Sequence, residues 1–366
     1  MNSPTPFTAL HNNESSRALR AQLLSHFQQT QNADGGWAFL SSEGHASGES
    51  RVEPTCWAIR AVADSPASAQ AHIARGLAFL QSQQHPDGSW PATNGMPSGG
   101  WVTSLAAGVL ATFLGQSPSN EKFVVAALQW LCDDYPRDSS RWQKFLKNFG
   151  SGRHESHNDE FRGWGWTPRT ASWVEPTAFA LLAFASVSEN YSSGSSGAPG
   201  SLSKPGISPQ LAKSIADRRA LAIGLIYDRM CAGGGWNCGN PRVYGVDGDS
   251  LVLPTCWALL ALRGAPEHPN QALSLAWLQK SFATIASPGS LAVAQITLET
   301  YGVRVPAARR HLADWSTADL IGQGTHVAAW ASLALNPHRT WPLSSDTRST
   351  APPVHESPAT SHRSPQ

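Results

Sequence analysis

The sequence predicts an all-α chain closed into a single α6/α6 toroid, a double ring of six inner and six outer helices. Three observations carry this expectation. A helix start recurs as Glu53-Pro54-Thr55-Cys56-Trp57-Ala58, Glu175-Pro176-Thr177-Ala178-Phe179-Ala180 and Leu253-Pro254-Thr255-Cys256-Trp257-Ala258, each running on into an apolar stretch. A Trp-bearing turn recurs as Gln31…Asp34-Gly35-Gly36-Trp37 and Gln83…Asp87-Gly88-Ser89-Trp90, with shorter copies at Gly163-Trp164-Gly165-Trp166 and Gly234-Gly235-Trp236. The third is composition: the 366 residues include 15 Trp, and only 14% are charged, against roughly 25% in an ordinary soluble domain.

Each element follows from its local chemistry. Pro at a first helical position gives up only an N–H that would be unpaired there anyway, so the Pro-Thr runs mark helix starts. Asp-Gly supplies the turn, and the following Trp is a large anchor beside it. Alternating the two motifs gives outer, amphipathic helices near 16–31, 67–84, 120–132, 208–231, 268–286 and 306–320. Between them lie nearly all-apolar helices near 54–64, 101–114, 176–187, 254–263, 289–301 and 325–335. A helix apolar on every side must be buried on every side, which a closed ring achieves and an open solenoid does not. Residues 1–15 read as a flexible lead, 16–338 as one toroid, and the Ser-, Pro-, Thr- and His-rich stretch 339–366 as a disordered tail. Polar insertions near 133–162 and 188–207 interrupt the repeat without changing its phase.

Composition also excludes. Lys plus Arg is 27 and Asp plus Glu is 26, so the clustered cations that a nucleic-acid partner requires are not indicated. No apolar run is long enough to span a bilayer, and the first residues carry no basic flank or apolar core of a signal peptide. The five Cys, at 56, 132, 231, 238 and 256, are irregularly spaced and read as free thiols. A cytoplasmic location is expected, with peripheral membrane contact and a protein partner left open.

The run Arg75-Gly76-Leu77-Ala78-Phe79-Leu80…Gln83…Gly88-Ser89-Trp90 resembles the QW motif of squalene–hopene cyclases, oxidosqualene cyclases and their relatives, and Gln31…Gly35-Gly36-Trp37 is similar to a shorter copy. This resemblance implies an α/α toroid, shared with protein prenyltransferase β subunits, and an apolar isoprenoid or lipid-like ligand. It also implies alkene protonation by an Asp in a DxDD run. Val174-Glu175-Pro176-Thr177-Ala178 is similar to part of that run, placing Glu175 on the acid, with Trp173 and Pro176 in place of flanking Asp residues. Val52-Glu53-Pro54-Thr55 aligns equally well.

The residues offer chemistry and plainer roles together. Glu53 and Glu175 can cap helix starts or act as general acids at the ring mouth. Asp247-Gly248-Asp249 can be an acidic loop or a paired-carboxylate site. Trp57, Trp101, Trp173, Trp257 and Trp330, with Phe179, can wedge helices apart or line a lumen that stabilises a cation. Arg60, unexpected on an apolar helix, can pair with Asp64 at i+4 or face the lumen and bind an anion. Cys56, Cys256 and His326 fall near inner-helix starts, as the zinc ligands of prenyltransferase subunits do, but the Asp-x-Cys pair has no counterpart. No metal and no cofactor is therefore expected. The leading expectation is a terpene cyclase-like isomerase, with a non-catalytic lipid- or protein-binding toroid and a zinc prenyltransferase β-like subunit as alternatives.

Overall fold

The computed structural model describes residues 6–42, 45–65, 69–97, 99–136, 158, 160–192, 207–303, 305 and 312–342. Its outer helices are α1 (Pro6–Gln29), α3 (Gln70–Ser82), α5 (Glu121–Asp133), α7 (Pro209–Asp228), α9 (Pro269–Ser281) and α11 (Thr317–Gly322). Its inner helices are α2 (Val52–Ala63), α4 (Val102–Thr112), α6 (Val174–Ser192), α8 (Val252–Leu262), α10 (Pro288–Thr300) and α12 (Thr325–Leu335). Each inner helix packs on the next, and α12 packs on α2, so the inner ring closes. The seam is stitched by the start of α12: Thr325 donates from its backbone N to Phe39 O at 2.7 Å and from Oγ1 to Ala38 O at 2.6 Å. The fold is the all-α α6/α6 toroid.

The repeat that marks the sequence is also what holds the ring. Trp37, Trp90, Trp164 and Trp236 donate their indole N–H to the carbonyls of Phe27, Leu80, Leu131 and Ile226 at 2.8, 2.6, 3.0 and 2.5 Å. Their backbone N–H groups donate to the hydroxyls of Thr55, Thr103, Thr177 and Thr255 at 2.9, 2.9, 3.0 and 2.8 Å. Each Trp thus ties the last turns of an outer helix to the first turn of the next inner one. Gly35 and Gly88 take φ of +92°. A Cβ at either would lie 2.4 Å from the Arg75 or Ala126 carbonyl oxygen of the next outer helix, so only Gly allows that approach.

Several expectations need correction. The Pro-Thr helices begin two residues earlier than expected, so Pro54 and Pro254 sit third in the helix, where their missing N–H still costs nothing. The glutamine that closes the second turn is Gln84, not Gln83: Gln84 Nε2 donates to Gly88 O and Phe123 O, both at 2.9 Å. Gln31 makes the matching pair to Gly35 O and His72 O at 2.8 Å each. α1 begins at Pro6, so residues 6–15 are helical rather than a flexible lead; they lack the apolar period that marks a helix in sequence. Of the last outer helix expected at 306–320, the described part is interrupted at 314–316 and resumes as Thr317–Gly322, while 306–311 lie outside the described residues, as do 137–157, 193–206 and 343–366 of the expected insertions and tail. Residues 339–342 fold back on the ring rather than joining the tail.

Candidate functional site

The mouth of the ring is built by the same repeat. Glu53 and Glu175 lie in the first turns of α2 and α6, four residues ahead of Trp57 and Phe179. On a helix that spacing puts each carboxyl one turn above an aromatic ring on the same face. Leu253 and Trp257 repeat the spacing on α8, and His326 and Trp330 on α12.

The lower layer fills the lumen. Ring centroids lie 5.5 Å apart for Trp57–Trp257, 5.6 Å for Trp57–Trp330, 5.6 Å for Trp257–Trp330 and 5.1 Å for Phe179–Trp257. Trp57 and Trp257 are each 1% exposed. Trp101, capping α4, stacks on Phe179 at 5.4 Å and meets Trp166 edge-on at 5.2 Å. Edge-to-face and offset contacts of this kind are the favoured aromatic geometries. The expected substrate-lining Trp57, Trp257 and Trp330 therefore form a floor of packed rings. Trp173 is not among them: it is 39% exposed, pairs through its backbone with Trp164 and lies against Gly239.

The polar groups above this floor are short of partners. Burial pushes both Glu53 and Glu175 from the ordinary 4.5 up to about 7. The pull of a helix N-terminus on a carboxylate, roughly 0.3–1 kcal/mol, is too small to offset that desolvation. Glu53 does not cap its helix, whose N-cap residue is Arg51 and has no side-chain cap bond. The Trp57 indole N–H approaches Glu53 but stops short of a hydrogen bond. Trp57 Nε1, Trp330 Nε1 and His326 Nδ1 are buried with no hydrogen-bond partner among the described residues, whereas buried polar atoms are ordinarily paired. Burial holds His326 below the usual histidine range, so at neutral pH its ring is uncharged. Its ring meets Trp330 edge-on at 5.0 Å.

Other expected site residues lie elsewhere. Asp247 stands on an exposed hairpin, β1 (Arg242–Val243) paired antiparallel with β2 (Val246–Asp247), and meets Arg242 at 3.6 Å. Asp249 is exposed just beyond it. Two solvated carboxylates on a Gly-containing turn are an acidic loop, not a paired acid. Asp64 does not pair with Arg60: it accepts from Asn336 Nδ2 at 3.2 Å, Thr340 N at 3.0 Å and Thr340 Oγ1 at 2.8 Å. Cys56 is buried, and Cys256, raised to about 12 by burial, leans on Thr297. No three His, Cys, Asp or Glu side chains gather closely enough to hold a metal ion among the described residues.

One lumen residue escaped sequence reasoning. Trp341 approaches Trp57 at 5.6 Å and Trp257 at 6.3 Å. A Trp-Pro pair in a Ser- and Thr-rich stretch was the signal that could have found it.

The squalene-hopene cyclase C-terminal domain family matches residues 5–101. A squalene–hopene cyclase from Bradyrhizobium diazoefficiens is 28% identical over 175 residues, covering 43% of this chain and 24% of that one. This chain thus matches about a quarter of that relative's length. Among solved structures, a type II terpene cyclase from Scytonema in complex with merosterolic acid A aligns with TM-score 0.49 and 13% identity, over 90% of this chain and 81% of that one. A novel alpha-amylase from Clostridium perfringens aligns with TM-score 0.54 and 11% identity, over 87% and 96%. At that identity the likeness to the amylase is one of fold alone. No helix among the described residues is long and apolar enough to cross a membrane.

Proposed function

We propose that this squalene cyclase-like toroid takes the end of an apolar, isoprenoid-class molecule at its mouth and initiates a cyclisation or isomerisation there by proton donation from Glu175, with Glu53 as the second carboxyl. The observation that carries this is the pair of carboxyls raised to about 7 above a floor of packed aromatic rings. A carboxyl in that range is still about half protonated at neutral pH, where an ordinary carboxyl is fully ionised, so it can serve as a general acid. It is also a weaker acid than an ordinary carboxyl, which suits a polarised oxygen on the substrate better than a bare alkene. The faces of Phe179 and Trp101 would then steady positive charge, at roughly 0.5–2 kcal/mol per ring. His326 Nδ1 and the indole N–H groups of Trp57 and Trp330 supply the few convergent polar atoms that fix a mostly apolar ligand.

A second reading, a toroid that binds a lipid without transforming it, is favoured by one observation. The rings of Trp57, Trp257, Trp330 and Phe179 fill the lumen, so a long chain cannot lie along the ring axis without displacing them.

The test is incubation of purified protein with squalene, an epoxide of squalene and linear prenyl diphosphates, with products read by mass spectrometry. Glu175→Gln should lower turnover by about 10²–10⁴, the usual range for one general acid. The wild-type rate should fall as pH rises through about 7, because the protonated carboxyl is the working form. Absence of product from every substrate, with saturable quenching of tryptophan fluorescence by squalene, would leave the binding reading in place of the catalytic one.

A further inference from the structure

The ring has a second end, and the chemistry there differs. Arg60 lies two turns below Glu53 on α2, about 10 Å further along the helix at 1.5 Å per residue. It is the only Lys or Arg in the six inner helices. It is 7% exposed, and its Nε is buried with no hydrogen-bond partner. No carboxylate or carbonyl among the described residues accepts from its guanidinium. Asp64, the acceptor one turn on, is engaged by Asn336 and Thr340. Space for the guanidinium is provided by Gly108 on α4, where a Cβ would stand 3.0 Å from Nη2. Trp341 covers it, with Arg60 Cζ 5.1 Å from the ring centroid. The covering segment is pinned on one side of the ring by Asp64 and on another by Arg339, which donates to Glu299 Oε2 at 2.7 Å and Ile296 O at 3.3 Å.

A nearly buried guanidinium whose Nε lacks an acceptor is costly, because the desolvation of that N–H is uncompensated. Cation–π contact with one Trp returns only part of that, at roughly 0.5–2 kcal/mol. The fork is planar and suited to a two-oxygen acceptor. Its surroundings, Trp57, Trp341 and Ala183, are apolar. A lone cation balances one negative charge, so a diphosphate would bring charges that nothing among the inner helices neutralises.

We propose that Arg60 forms a second site, at the end of the ring opposite Glu53 and Glu175, that binds the carboxylate of an apolar-chain acid beneath Trp341. This site does not rest on the proton-donor reading of the mouth.

Calorimetric titration of the full chain with decanoate tests it, with decanol and inorganic phosphate as the comparison ligands. Decanoate should bind and decanol should not. Arg60→Met should weaken decanoate by about tenfold to a hundredfold, the value of one charge-assisted contact. It should still fold, since an apolar side chain of similar length removes a buried charge. Trp341→Ala should bind decanoate tighter than wild type, because the cover no longer competes. Equal decanoate affinity in wild type and Arg60→Met would overturn the proposal, as would phosphate binding more tightly than decanoate. Should Arg60→Met fail to fold, Trp341→Ala decides: unchanged or weaker decanoate binding there would refute the covered site.

Discussion

Replacing Glu175 by Gln tests the electrostatics of the mouth independently of any substrate. Burial raises this carboxyl from 4.5 to about 7 in the folded chain. A group whose folded value is raised above its unfolded one contributes fully below the unfolded value and loses that contribution as pH climbs through the folded one. Glu175 therefore does not penalise folding below about pH 4.5, and the penalty grows between about pH 5 and 7 and is complete above it. Moving a carboxyl from 4.5 to about 7 corresponds to about 3.4 kcal/mol. Because Glu175 is only partly sheltered, about 2 kcal/mol is the expected loss after screening. Glu175→Gln keeps the shape and removes the charge. It should be close to neutral at pH 4.5 and stabilising by about 2 kcal/mol at pH 9. Urea unfolding at pH 4.5, 7 and 9 measures this directly, and Glu53→Gln should behave in the same way. A Gln variant whose stability tracks wild type at every pH would show that the carboxyl is solvated, and the general-acid reading would lose its basis.

The turn glutamines give a paired test. Gln84→Ala removes two hydrogen bonds from one amide and should cost about 2 kcal/mol in urea unfolding, whereas Gln83→Ala, which loses no bond to a neighbouring helix, should be nearly neutral. Equal costs would mean that the amide does not tie the second turn to α5. Gly88→Ala combines a φ of +92° with a Cβ 2.4 Å from the Ala126 carbonyl oxygen. It should destabilise by about 3 kcal/mol or more on a thermal melt, and a smaller loss would show that the turn can move off α5.

The inner helices were legible because their signals are local. A Pro-Thr start followed by residues apolar on all sides can only be a buried helix, and Thr55, Thr103, Thr177 and Thr255 all accept from the Trp of the preceding turn. Glu53 and Glu175 were legible for the same reason, since a first-turn position follows from the motif. What was not legible depends on how wide the ring closes. Whether Trp57 and Trp257 line an open lumen or meet at 5.5 Å is set by the packing of six helices at once, and no window of sequence contains it. Asp247 and Asp249 misled because a short acidic run looks alike on a solvated hairpin and in a site. Trp341 was hidden by its surroundings: Ser, Thr and Pro on both sides give the composition of a tail, while its anchors, Asp64 and Glu299, lie far away in sequence.

The filled lumen makes the two ends of this ring chemically separate. At one end, two carboxyls about half ionised at neutral pH, an uncharged histidine and two indole N–H groups face the aromatic floor from above. At the other, the Arg60 guanidinium lies below it against Trp341. A shared apolar layer disfavours passage of a charged head group through it, since crossing would strip an ion of solvent with no partner in the layer. A ligand held at Arg60 and one at Glu175 would therefore enter from opposite ends. They could influence each other only through the rings of Trp57 and Trp257, which meet Phe179 and Trp330 as well as Trp341. Trp57→Ala should couple the two ends by opening the layer, at a stability cost of about 3–5 kcal/mol for the cavity left. If Trp57→Ala leaves decanoate affinity insensitive to Glu175→Gln, as expected in wild type, the layer is not what separates the ends.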